Sequence, residues 1–177
     1  MRDDKAALGT PAASGARRDA ALDWHTPLRF DPQLLRQLLA RHDALERELA
    51  ALPDHAARDR DQAVRIAGTC AGLLHELRRQ EALWIYPLMA RRFGADPVAR
   101  RRLTDLRFAM NGLARRVLRQ IDALSQTLRQ AGDVRHALAG VVAALADYRL
   151  RNESELYTLY SLADSHSTPR EVSVAHN

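Results

Sequence analysis

Cysteine is almost missing from this chain. Cys70 stands alone in 177 residues, which excludes an intramolecular disulfide and points to a reducing compartment. Lysine is as scarce, with Lys5 the single example, so the net charge of +5 rests on arginine. Aromatic residues make up only 5%, while the 46% hydrophobic content is mostly Leu and Ala, a balance that favours helix over sheet. No apolar run approaches the roughly 20 residues that span a bilayer, and the first residues hold no signal core, so a cytoplasmic protein without a membrane partner is expected. A Gly-rich phosphate loop, a Cys-x-x-Cys pair and a Ser-His-Asp order are all lacking, and no enzyme is expected. The arginines alternate with Asp and Glu as on a solvated surface. The densest group, Arg100 to Arg102, sits beside Pro97 without interleaved aromatics, so nucleic acid is not expected as a partner, although a weak anionic one stays open.

What is present is helical periodicity. Residues 1–23 carry no sustained apolar period and read as a mobile arm, and 165–177 read as a disordered tail. Between them, 24–164 form one domain. Trp24 and Phe30, around Pro27, could close the end of a core. Asp31-Pro32 supplies a cap and a first helical proline for a helix to about Leu52, with Pro53-Asp54 as the turn. Its stripe holds Leu35, Leu38, Leu39, His42, Leu45, Glu46 and Leu49. A second helix runs from near Arg60 to near Arg92, stopped by Gly94 in left-handed backbone. Its inner face carries Cys70, Leu73, Leu74, Leu77, Glu81, Trp84, Ile85 and Leu88, and Tyr86-Pro87 should kink its last turns. Asp96-Pro97 starts a third helix with Leu103, Leu106, Met110, Leu113, Val117, Ile121, Leu124 and Leu128 on one face. After Gly132-Asp133, a fourth helix presents Leu138, Val141, Val142, Leu145, Arg149, Glu153, Leu156 and Tyr160. Four amphipathic segments with short turns make an all-α, up-down-up-down antiparallel four-helix bundle the expected fold.

Polar residues interrupt the inner faces. His42 and Glu46 come from the first helix, Glu81 from the second, and Arg149, Asn152 and Glu153 from the fourth, a candidate buried polar cluster. Side chains converging at one height inside a bundle are how metal sites are built there. A buried glutamate such as Glu81 needs a partner or gives up its charge.

The segments LRRQEALWIYPLM, RLRNESELYTL and ARHDALERELAAL resemble the second, fourth and first helices of the hemerythrin-like, or HHE cation-binding, family. The resemblance covers about residues 24–164 and implies a hemerythrin-like bundle with a non-haem di-iron centre that binds oxygen or nitric oxide, or senses iron. Carried over by position, Glu81 and Glu153 take the bridging carboxylate places and His42 a terminal imidazole place. Leu77, Arg149, and Met110 or Leu106 stand where the other histidines belong. His75 projects about 160° from Leu77, on the outer face.

Arginine has no acceptor and does not deprotonate. Its guanidinium could therefore replace the metal between Glu81 and Glu153, with His42 and Glu46 completing the hydrogen bonds. Otherwise Arg149 snorkels to solvent, or His42, Glu81 and Glu153 keep a residual ion. The expected function is that of a degenerate hemerythrin-like bundle acting in regulation by binding a protein partner or a second copy of itself, with no cofactor favoured. The alternative is a non-haem iron sensor or carrier using His42, Glu81 and Glu153. Tyr148, Tyr157 and Tyr160 form the candidate interaction surface, unless they pack in the core.

Overall fold

Four helices begin with the same device. Asp31, Asp59, Asp96 and Asp133 all sit in extended backbone, and each carboxylate accepts an amide hydrogen bond from the first turn that follows. At Asp31 and Asp96 the next residue is proline, whose missing N–H falls where no intrahelical partner exists. The chain, described here by a computed structural model over residues 29–165, is all-helical among those residues. The expected arm over 1–23, Trp24, and the tail beyond Ser165 lie outside them.

Four helical rods result. The first is α1 (Pro32–Arg58). The second joins α2 (Arg60–Gln80), a π-helical segment π1 (Glu81–Ile85) and α3 (Tyr86–Phe93). The third is α4 (Pro97–Arg129), and the fourth joins α5 (Val134–Arg151), π2 (Asn152–Leu156) and α6 (Tyr157–Ser165). α1 packs on α2 and α5, and α4 packs on α2 and α5, so the apolar stripes meet around one core. Leu38, Leu45, Leu49, Cys70, Leu74, Met110, Val117, Ile121, Leu124 and Val141 are all buried in it. Burial pushes the Cys70 thiol up to about 12, in keeping with a core residue. Phe30 closes one end, its ring 4.9 Å from that of Tyr160, whose hydroxyl accepts from the Asp31 amide at 2.9 Å.

Two expected turns differ, and the one at Gly132-Asp133 is found. Pro53 does not end the first helix but lies inside α1, because Leu49, Leu52 and Ala56 on either side of it pack into the core and hold the helix on to Asp59. Gly94 is not left-handed (φ −69°). Glycine is needed there for space, since a Cβ would collide with the Ala90 carbonyl oxygen. The left-handed residue before the last rod is Ala131 (φ 58°), where an L side chain crowds its own carbonyl. Ala131→Gly is therefore expected to stabilise the protein by about 0.5–1 kcal/mol, read as a higher midpoint in urea with an unchanged slope.

The kink expected at Tyr86-Pro87 takes the form of π1. Pro87 offers no amide, and the Tyr86 amide reaches back five residues to the Glu81 carbonyl. This widening turns Trp84, expected inside, out to 41% exposure while Ile85 and Tyr86 stay buried. The second widening, π2, has no proline to announce it, and the Tyr157 amide bonds the Asn152 carbonyl in the same way.

Candidate functional site

Both π segments open beside the same group of side chains. Glu81 begins π1 and Asn152 begins π2, and both are buried at the level of His42 on α1. π-helical turns of this kind recur at functional sites, because the extra residue re-aims the side chains around it. Here it lets Asn152, Leu156 and Tyr157 all face inward.

Glu81 is 3% exposed. The Tyr148 hydroxyl donates to it, lying 3.0 Å from Oε2 and 3.2 Å from Oε1, and the Tyr157 hydroxyl lies 3.3 Å from Oε1. Tyr157 also lies 3.2 Å from His42 Nε2. A continuous chain of four groups, His42, Tyr157, Glu81 and Tyr148, thus crosses the core. Burial raises the Glu81 carboxyl to about 7, against the opposing pull of the Tyr148 hydrogen bond, the Arg78 charge and the Tyr157 hydrogen bond. Burial also lowers the His42 imidazole to about 4, helped by the nearby charge of Arg149. Both tyrosine phenols are pushed well above their usual range by burial and by the neighbouring Glu81 charge. A proton on Glu81 and a neutral His42 are the forms this interior favours. His42 Nδ1 and both amide atoms of Asn152 remain without hydrogen-bond partners; Asn152 lies beside Tyr148 but does not reach it in normal hydrogen-bond geometry.

The six expected members of the cluster divide into two layers. His42, Glu81 and Asn152 are buried, but Glu46, Arg149 and Glu153 face the surface with side chains 45%, 27% and 42% exposed. Arg149 does not bridge Glu81. It pairs with Glu46 and Glu153 at 2.7 Å and with Asp43 at 2.9 Å, so the snorkelling alternative is the one found. The reason is a rotation of the fourth stripe by one residue. Ala139, Val142, Ala143 and Ala146 leave the wheel of α5 apolar on several sides, and the inward face is the one that buries the Tyr148 ring with Val141, Ala144 and Leu145. Val142, expected inside, is 51% exposed. Tyr148, Tyr157 and Tyr160 are buried and cannot form the interaction surface set out above. Because its partners sit near water, Arg149→Ala is expected to cost about 1 kcal/mol or less, not the 3–5 kcal/mol of a broken buried pair, as read by thermal or urea unfolding.

The di-iron centre that the resemblance implies can be tested against these residues. Leu77 and Met110 are each 1% exposed and bring apolar atoms to places where imidazoles would be needed. Glu153 is engaged by Arg149 on the surface, away from Glu81. Among the described residues no three His, Cys, Asp or Glu side chains come together as a metal-holding group. These residues do not fit a two-metal centre, and no chemistry is derived through one. His75 is exposed, as expected.

What sequence reasoning missed is the tyrosine pair. The one available signal was Glu81 itself, a carboxylate in an apolar stripe that needed donors, with Tyr148 among the few inward-capable donors in reach. No protein-family model, curated protein or solved structure matches this chain. Among the described residues no helix is long and apolar enough to cross a membrane.

Proposed function

We propose that this chain is a hemerythrin-like bundle, with its rods running up-down-up-down, whose di-iron site has been replaced by a proton-sharing polar network and which acts in the cytoplasm as a regulatory, protein-binding module. The pairing of Arg78 with Asn111 and of Tyr86 with Arg107 supports the antiparallel arrangement of the second and third rods, since one number rises as the other falls. The observation that carries the functional reading is the occupation of Glu81 by two tyrosine hydroxyls. A carboxylate whose oxygens are taken up this way is satisfied by the protein's own donors without a metal ion.

The partner must be met by a surface other than the three buried tyrosines. Fold by itself assigns no activity, and the proposal rests on the site. Elemental analysis and an optical spectrum of protein purified anaerobically without chelator, then titrated with ferrous iron, test it. A folded bundle with no iron above background supports a metal-free module. Near-stoichiometric iron with an oxo-bridge absorption would make iron sensing or carriage the function instead.

A further inference from the structure

The third rod holds a feature that the core network does not explain. α4 carries eight arginines against two aspartates, so this one helix exceeds the whole chain's net charge of +5. At its N-terminal end, Arg100, Leu103, Thr104 and Arg107 follow one another at spacings of three and four on a single face. Together with Tyr86 and Gly94 they line a cleft of about 190 Å³. Among the described residues neither Arg100 nor Arg107 forms an ion pair. Arg107 instead lies over the Tyr86 ring, 5.6 Å from its centroid. Tyr86 is 8% exposed, yet its hydroxyl makes no hydrogen bond among the described residues. The ring is buried while the hydroxyl is open to the cleft, which leaves it free to donate to a group held there.

The chemistry of this lining is one-sided. Thr104 turns its hydroxyl back to the Arg100 carbonyl at 3.0 Å, so the free donors are two guanidiniums and one phenol. Asp96 is committed to the Val98 amide at 2.8 Å, and Asp105 points about 140° away from Arg100 around the helix. Arg101 and Arg102 are exposed next door, and the helix N-terminus adds its own positive end. A dianionic phosphoryl group, with about −2 of charge and several acceptor oxygens, matches two forks and a hydroxyl. The cleft is smaller than the roughly 300 Å³ at which drug-sized ligand sites begin, so it suits one such group with a short substituent.

We infer that this cleft binds the phosphoryl group of a small phosphorylated molecule, held by Arg100 and Arg107 with the Tyr86 hydroxyl as third donor. The site is separate from the His42–Glu81 network and does not depend on what that network does.

Calorimetric titration at fixed ionic strength tests it, with inorganic phosphate and phosphoserine as small probes and a single-stranded oligonucleotide as the polymer. Saturable one-site binding of the small probes is expected for the native chain. It should weaken at least tenfold in Arg100→Gln/Arg107→Gln and several-fold in Tyr86→Phe, while Arg115→Gln/Arg119→Gln, which removes the same charge from the same helix, should leave it unchanged. Circular dichroism of each variant checks that the bundle is kept. Absence of saturable binding would overturn the site, as would equal weakening in both arginine pairs. So would oligonucleotide binding that depends equally on both pairs and far exceeds that of the small probes, which would assign the charge to a nucleic-acid surface.

Discussion

Glu81→Gln is expected to be more stable than the native protein at pH 9 by about 3 kcal/mol, and to lose that advantage as the pH falls to about 4.5. Glutamine keeps a polar amide among the tyrosine hydroxyls but cannot ionise. In the native chain the Glu81 carboxyl is raised from 4.5 to about 7 in the fold, so its contribution is complete below pH 4.5 and is lost as the pH rises through 7. His42 is lowered from 6.5 to about 4, so its contribution is complete above pH 6.5 and is lost as the pH falls through 4. The two shifts are similar in size and opposite in sign. Between about pH 4.5 and 6.5 the unfolded pair carries one proton on the histidine, and the folded pair carries one proton on the glutamate. Folding moves that proton without a net gain, and this pair leaves stability flat there. Removing either partner exposes the slope of the other. Stability of Glu81→Gln should rise between pH 4 and 6.5, and stability of His42→Gln should fall between pH 4.5 and 7, in urea unfolding at closely spaced pH values. Parallel curves for native protein and both variants would contradict the pairing.

Tyr148→Phe is expected to cost about 1–3 kcal/mol at pH 6 although it removes a single oxygen. That oxygen reaches both carboxylate atoms of Glu81, at 3.0 and 3.2 Å, and without it only Tyr157, at 3.3 Å and shared with His42, remains. A carboxyl with fewer donors holds its proton more tightly, so the pH at which the variant loses its Glu81 contribution should move upward. Phenylalanine keeps the ring and its packing. An unchanged urea midpoint and an unchanged pH profile would mean that the hydroxyl does not serve Glu81.

Much of the helical framework was legible because it depends on local chemistry. Asp31-Pro32 and Asp96-Pro97 state their caps in two residues, and the Leu103-to-Leu128 stripe admits one buried face. Pro53 misled because proline's local cost was weighed without the packing of Leu49, Leu52 and Ala56 that overrides it. The candidate site was half legible. His42 and Glu81 stand alone among leucines on strongly patterned helices, and both are buried as expected. The fourth rod hid the rest. With alanines around α5, the Val142–Arg149 register and the Ala144–Tyr148 register bury similar apolar surface, and wheel geometry alone does not choose between them. π2 then adds a residue per turn that a strict 100° step does not contain, which brings Tyr157 inward, while Glu153 faces outward one turn beyond Arg149. Arg149 follows the same rotation. Its three carboxylate partners come from α1 and from the next turn of its own rod, and none of them is Glu81.

The claim on which the proposed function depends is that Glu81 holds a proton where a metal-binding carboxylate would hold an ion. Carbon-13 NMR of the glutamate side-chain carboxyls, with Glu81→Gln assigning the resonance, measures it directly when titrated without and then with equimolar ferrous iron under anaerobic conditions. A midpoint near 7 that iron leaves in place is the expected result. A midpoint near 4.5, or a resonance that iron broadens away or drives to the ionised position at pH 6, would contradict it.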